Sequence, residues 1–141
     1  MTQSLKDNQL TCQVIRPDHT YDGKQGFSYF AGIAAETVGS TGICMHLLTI
    51  PPGGRAKAHM HHAHETAIYI ISGISEMWYG ADLSEYMTIK AGELLYIPAG
   101  MPHLPANPSQ TEPCTAVLAR TDPNEQESVV LLPEFDNVGL S

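Results

Sequence analysis

Gly53-Gly54-Arg55-Ala56-Lys57-Ala58-His59-Met60-His61-His62-Ala63-His64-Glu65 places four of the chain's seven histidines within six residues, behind a Gly-Gly turn and ahead of a carboxylate. In an extended strand alternate side chains share a face. His59 and His61 therefore point the same way and can set two imidazole nitrogens on one ion, with Met60 facing the other side. Glu65 offers a hard oxygen close behind. Imidazoles with a carboxylate, leaving positions for water or substrate, suit divalent Mn, Fe, Ni, Co, Cu or Zn. A solvated histidine-rich loop is the plainer reading of the same residues, and a second stretch decides against it.

That stretch is Gly92-Glu93-Leu94-Leu95-Tyr96-Ile97-Pro98-Ala99-Gly100-Met101-Pro102-His103-Leu104-Pro105-Ala106-Asn107. It reads as a strand, a rigid Pro-Ala-Gly turn and then a presented histidine, His103, able to fold back as a third imidazole. Together the two stretches resemble the cupins. The first cupin motif has Gly, five residues, His-x-His, three or four residues, Glu, six residues and Gly; Gly53, His59, His61 and Glu65 fit it, and the closing Gly73 comes one residue late. The second has Gly, five residues, Pro-x-Gly, two residues, His, three residues and Asn; Gly92, Pro98, Gly100, His103 and Asn107 match throughout. The resemblance implies an all-β, double-stranded β-helix (jelly-roll) barrel with one metal ion inside, held by His59, His61, Glu65 and His103.

The late glycine leaves the fourth ligand open. Counted back from Gly73 by strand parity, His64, Thr66, Ile68 and Ile70 share one face, and Glu65, Ala67 and Tyr69 the other. A β-bulge near Thr66 would return Glu65 to the interior. Without one, His64 is the alternative, and the residue not used as a ligand orients one that is. His62 reads as a solvent-facing bystander. His46, in phase with Cys44 and Leu48, reads as a satisfied core or surface residue, and His19 carries no role. Arg55 and Arg120 are candidates to meet an anion in the barrel, with surface placement the alternative.

Outward from the motifs the chain is short β-rich runs separated by turn residues. The runs are 27–33, 43–50, 67–71, 76–79, 86–89, 94–97 and 115–119. No helix-period stripe of useful length precedes the C-terminus, where residues 123–128 can form a turn or short helix ahead of 129–132. The division expected is an N-terminal arm over residues 1–25, the barrel over 26–121, and a segment over 122–141 that packs on the barrel or on a dimer partner. At 141 residues and 15.3 kDa, with 43% hydrophobic and 16% charged residues, one domain accounts for the chain.

A formal charge of −8 would repel a phosphate backbone or an anionic membrane surface, so neither is an expected partner. No stretch approaches the roughly 20 apolar residues of a membrane span, and no secretion-signal pattern opens the chain. Three widely spaced cysteines, Cys12, Cys44 and Cys114, suit a reduced cytoplasm better than a disulfide framework.

A metal-dependent cupin acting on a small oxygen-bearing organic molecule follows as the leading expectation, of dioxygenase, decarboxylase or isomerase type. Mn(II) is the favoured ion, then Fe(II), with Ni(II) or Zn(II) possible. Two other readings stand beside it: a non-catalytic sensor or storage module that binds metal or a small ligand, and a metal-free, epimerase-like cupin using a histidine as base. The joint presence of His59, His61 and His103 argues against the last. A homodimer paired through sheet edges and terminal arms is the expected assembly.

Overall fold

The computed structural model describes residues 10–16, 21–22, 27–124 and 129–140. Most of the N-terminal arm, His19 among it, and most of the 123–128 turn lie outside the described residues. Eleven strands are described: β1 (Tyr21–Asp22), β2 (Ser28–Ile33), β3 (Cys44–Ile50), β4 (His59–His61), β5 (Thr66–Ser72), β6 (Ile74–Tyr79), β7 (Glu85–Lys90), β8 (Leu94–Ile97), β9 (His103–Ala106), β10 (Cys114–Arg120) and β11 (Val129–Leu131). They form two antiparallel sheets, of order β1-β2-β3-β10-β5-β8 and β11-β4-β9-β6-β7. This is the two-sheet jelly-roll architecture that the resemblance implied.

The alternation of the sequence sets the interior. Along β3, Cys44, His46, Leu48 and Ile50 are buried while Met45 and Leu47 face solvent. Along β10, Cys114, Ala116, Leu118 and Arg120 are buried, paired in register with β3 on one side and β5 on the other. The main core joins Leu48, Ile50, Ile70, Met77, Ile89, Ile97 and Leu118 between the sheets. Gly73 makes the tight β5–β6 connection. It sits at φ +83°, and a Cβ there would lie against the Pro113 carbonyl, which fixes the position of the motif's closing glycine.

Two features were not expected from the run pattern. A four-residue helix, α1 (Ala35–Val38), follows β2, too short to leave a helical period. The segment 103–106 is a strand despite Pro105. It pairs fully with β6 but touches β4 in register only at His59 and His103, so the missing Pro105 N–H interrupts little of the ladder.

The described part of the C-terminal segment packs on its own barrel. β11 covers the edge of β4, and Leu132, Phe135 and Val138 pack against Ala58, Leu83 and Leu104. Arg55 lies here and not in the barrel: it donates to the carbonyls of Asp136 and Val138 and stands 5.2 Å from the Trp78 ring centroid. Among the described residues no helix is long and apolar enough to cross a membrane.

Candidate metal centre

β4 sits between β11 and β9, and its His59 pairs directly with His103 of β9. That register, with the two-residue spacing of His59 and His61, brings three imidazoles to one place. One ligand atom from each of His59, His61 and His103 lies within 4.8 Å of the others, and all three residues are 3% exposed. The 98–100 turn is tied to the site by its own backbone. Gly100, at φ +76°, donates its N–H to the His61 carbonyl at 2.8 Å.

The rings are pre-set for ligation. His59 Nδ1 donates to the Lys57 carbonyl at 2.7 Å, and His103 Nδ1 donates to the Met101 carbonyl at 2.8 Å. Each bond fixes the tautomer and leaves Nε2 with its lone pair, as metal-binding histidines are commonly held. Burial lowers the pKa of all three, that of His103 to about 4; Arg120 adds to the effect at each, and neighbouring histidines add to it at His59 and His61. The imidazoles are therefore neutral at pH 7, which ligation requires. Buried, neutral and convergent imidazoles fit a borderline divalent cation.

Glu65 is not brought into this cluster. It is solvent-exposed, and the structural reason is the regular strand. β5 pairs with β10 without a break from Thr66 to Ile70, the register shift falling at Thr115/Ala116, so no bulge turns Glu65 inward. His64 takes the inward place. It is 3% exposed, its ring centroid is 4.7 Å from that of His61, and its Nδ1 meets Asp122 Oδ2 at 3.1 Å. Its pKa is lowered by burial and by Arg120, against an opposing contribution from Asp122. His62 is exposed and His46 is buried on β3.

The triad opens into an interior cavity of about 50 Å³ with a largely apolar wall, including Ile50, Ile70, Met77 and Leu118. Arg120 and Thr66 also line it. The sequence of Arg120 allows either the barrel or the surface. Its end-of-strand position, in register with Cys44 and Thr66, is what places it inside. Asp122 was not singled out from sequence, although its two-residue spacing from Arg120 was the available signal. Asn107, the last residue of the second motif, is buried but serves the scaffold: its Nδ2 donates to the carbonyls of Ile50, Pro51 and Glu112, and its Oδ1 accepts from Ser109 N.

Comparison with solved structures finds the same fold in oxalate decarboxylases. A formate complex of the Lactobacillus farciminis enzyme superposes with a TM-score of 0.68 at 18% identity, covering 83% of this chain and 34% of that one. A Bacillus subtilis oxalate decarboxylase, studied for its Mn(II) centres, gives 0.68 at 22% identity, covering 94% and 37%. A protein provisionally described as a sugar phosphate isomerase, from Acidithiobacillus ferrooxidans, gives 0.54 at 23%, covering 66% and 58%. The chain thus spans about a third of the length of the decarboxylases it resembles. No curated protein matches the sequence. Residues 46–119 match the cupin domain model, more than half of the chain and both histidine segments, and the protein belongs to the cupin family.

Proposed function

We propose that this cupin is a mononuclear metalloenzyme that binds one divalent ion, Mn(II) in preference to Fe(II), and acts on a small oxygen-bearing organic molecule. The observation that carries the reading is the buried triad, with two of its rings held by backbone carbonyls at the wall of an interior cavity. When bound, the ion supplies Lewis-acid polarisation of a substrate oxygen, or a site for dioxygen beside it. The chain's own part is to hold the rings neutral and oriented and to surround the substrate with an apolar wall that excludes water. Similarity to oxalate decarboxylases favours a decarboxylase-type reaction among those that cupins support. A binding module without turnover is the second reading. It is favoured by the wall itself, whose ionisable groups beyond the triad are Arg120 and Cys114, a thiol whose pKa burial raises.

His64 is proposed to complete the donor set, with Asp122 fixing its ring, in the place that the family motif gives to Glu65. The carboxylate on Nδ1 leaves Nε2 as the ligating atom, the arrangement common around metal-bound histidines. Mn(II)- or Fe(II)-loaded protein assayed against oxalate, a 2-oxo acid and a sugar tests both statements. Turnover of at least one is expected, lost in a folded His61→Ala variant. Glu65→Gln is expected to keep metal affinity within about 2-fold, and His64→Ala to lower it at least about 10-fold. Tight binding without product would establish the binding module instead, and the reverse order of the two variants would restore Glu65 as ligand.

The proposed homodimer rests on the outer face of the larger sheet and not on its edge. Met45, Leu47, Tyr69, Ile71, Leu94 and Tyr96 are between 38% and 79% exposed on neighbouring strands, an uncharged patch that suits a second copy of itself. Light scattering after size exclusion is expected to give twice 15.3 kDa, and a Tyr96→Glu, Leu94→Glu variant a monomer; a monomeric wild type would refute the pairing. A cytoplasmic location is the reading of the free thiols of Cys12, Cys44 and Cys114.

A further inference from the structure

Two polar side chains of the cavity wall have no part in holding an ion. Arg120 closes β10 and Thr66 opens β5, and the two are paired residues across that ladder, so their Cβ atoms are immediate neighbours on the interior face. They are 4% and 3% exposed, and both line the cavity that holds His59, His61 and His103. Thr66 Oγ1 is buried and makes no hydrogen bond. A buried hydroxyl without a partner is uncommon in folded proteins, and it points to a ligand group that would supply one.

We infer that Arg120 and Thr66 form an anion-binding corner that selects a short-chain carboxylate as ligand of the cavity. This rests on the reading of the cavity as the substrate site. The planar guanidinium matches a carboxylate in fork geometry, and the Thr66 hydroxyl supplies a further donor to the same group. Among the described wall residues Arg120 is the one permanent cation, and the remainder beyond the triad is largely apolar. One carboxylate end therefore has a place, and the other end of the ligand faces the imidazoles. Size sets the chain length. A cavity of about 50 Å³ has room for only a few water-sized groups, at roughly 10–15 Å³ for each, so an acid of two or three carbons fits and a sugar does not.

The test is calorimetric titration of Mn(II)-loaded protein with glycolate and with its neutral isostere glycolamide, metal content being measured on the same samples. Glycolate is expected to bind at least about 10-fold tighter than glycolamide. Arg120→Gln is expected to weaken glycolate about 10- to 100-fold and to erase the contrast, Arg120→Lys to restore part of it, and Thr66→Val to weaken it about 3- to 10-fold. All variants are expected to retain the metal content of the wild type. Equal affinity for the two ligands, no binding of either, or glycolate affinity unchanged in Arg120→Gln would overturn the inference. Should Arg120→Gln not fold, the wild-type contrast and Thr66→Val decide. A wild type that holds no metal defeats the metalloenzyme reading alone, and the contrast, read on that metal-free protein, still decides the role of Arg120.

Discussion

Mn(II) added at about 100 times its dissociation constant is expected to stabilise the wild-type fold by about 2.7 kcal/mol, and to leave His59→Ala and His103→Ala unmoved. The size follows from mass action on a site that exists only in the folded chain. His59 comes from β4 and His103 from β9, 44 residues apart in sequence, and only their pairing in the sheet sets their ring atoms within reach of one ion. For a domain of this size that stabilisation is a rise in melting temperature of roughly 10 °C. Removing either ring takes away a first donor and opens a void beside the other two. The metal affinity is therefore expected to fall by more than the 10- to 100-fold that loss of an outer hydrogen-bonding partner costs. Thermal unfolding with and without Mn(II), for the wild type and both variants, checks it. An equal metal-induced shift in His59→Ala and the wild type would mean that the ion binds elsewhere.

Asn107→Ala is expected to destabilise the protein by about 2–4 kcal/mol while leaving the triad's chemistry alone. The side chain is 3% exposed, and one amide group bridges three chain segments: Nδ2 reaches Ile50 O and Pro51 O at the end of β3 and Glu112 O before β10, and Oδ1 receives Ser109 N. Alanine leaves those buried carbonyls and that N–H without their partner, and each such loss carries a desolvation penalty. Asn107→Asp is expected to be no better, since a carboxylate cannot donate to the three carbonyls. Denaturant unfolding of the metal-free protein measures the effect, and a loss below about 0.5 kcal/mol would show that the loop is held by other bonds.

Much of this was legible in the residues. The phase that His46 shares with Cys44 and Leu48 marked one face of β3, and that face is the buried one. Parity counted back from Gly73 separated His64 and Thr66 from Glu65, and the structure agrees residue by residue. The family motif pointed instead to Glu65. It was silent on the local register, which is fixed by the β10 ladder some fifty residues further on. Arg120 illustrates the same limit. A terminal arginine after a β-run reads equally as surface or interior, and only the pairing of β10 with both β3 and β5 makes its position central to the sheet and inward-facing. The strand at 103–106 was hidden by Pro105, since proline signals a break in a strand, whereas here the ladder with β6 runs straight through it.

The cage of His59, His61 and His103 is built to hold one divalent transition metal. Elemental analysis of protein purified without an affinity tag or a chelating column tests it most directly. Close to one equivalent of metal per chain is expected, Mn or Fe foremost, and its loss when His59 or His103 is replaced by alanine. Substoichiometric, mixed metal that is indifferent to those replacements would contradict it.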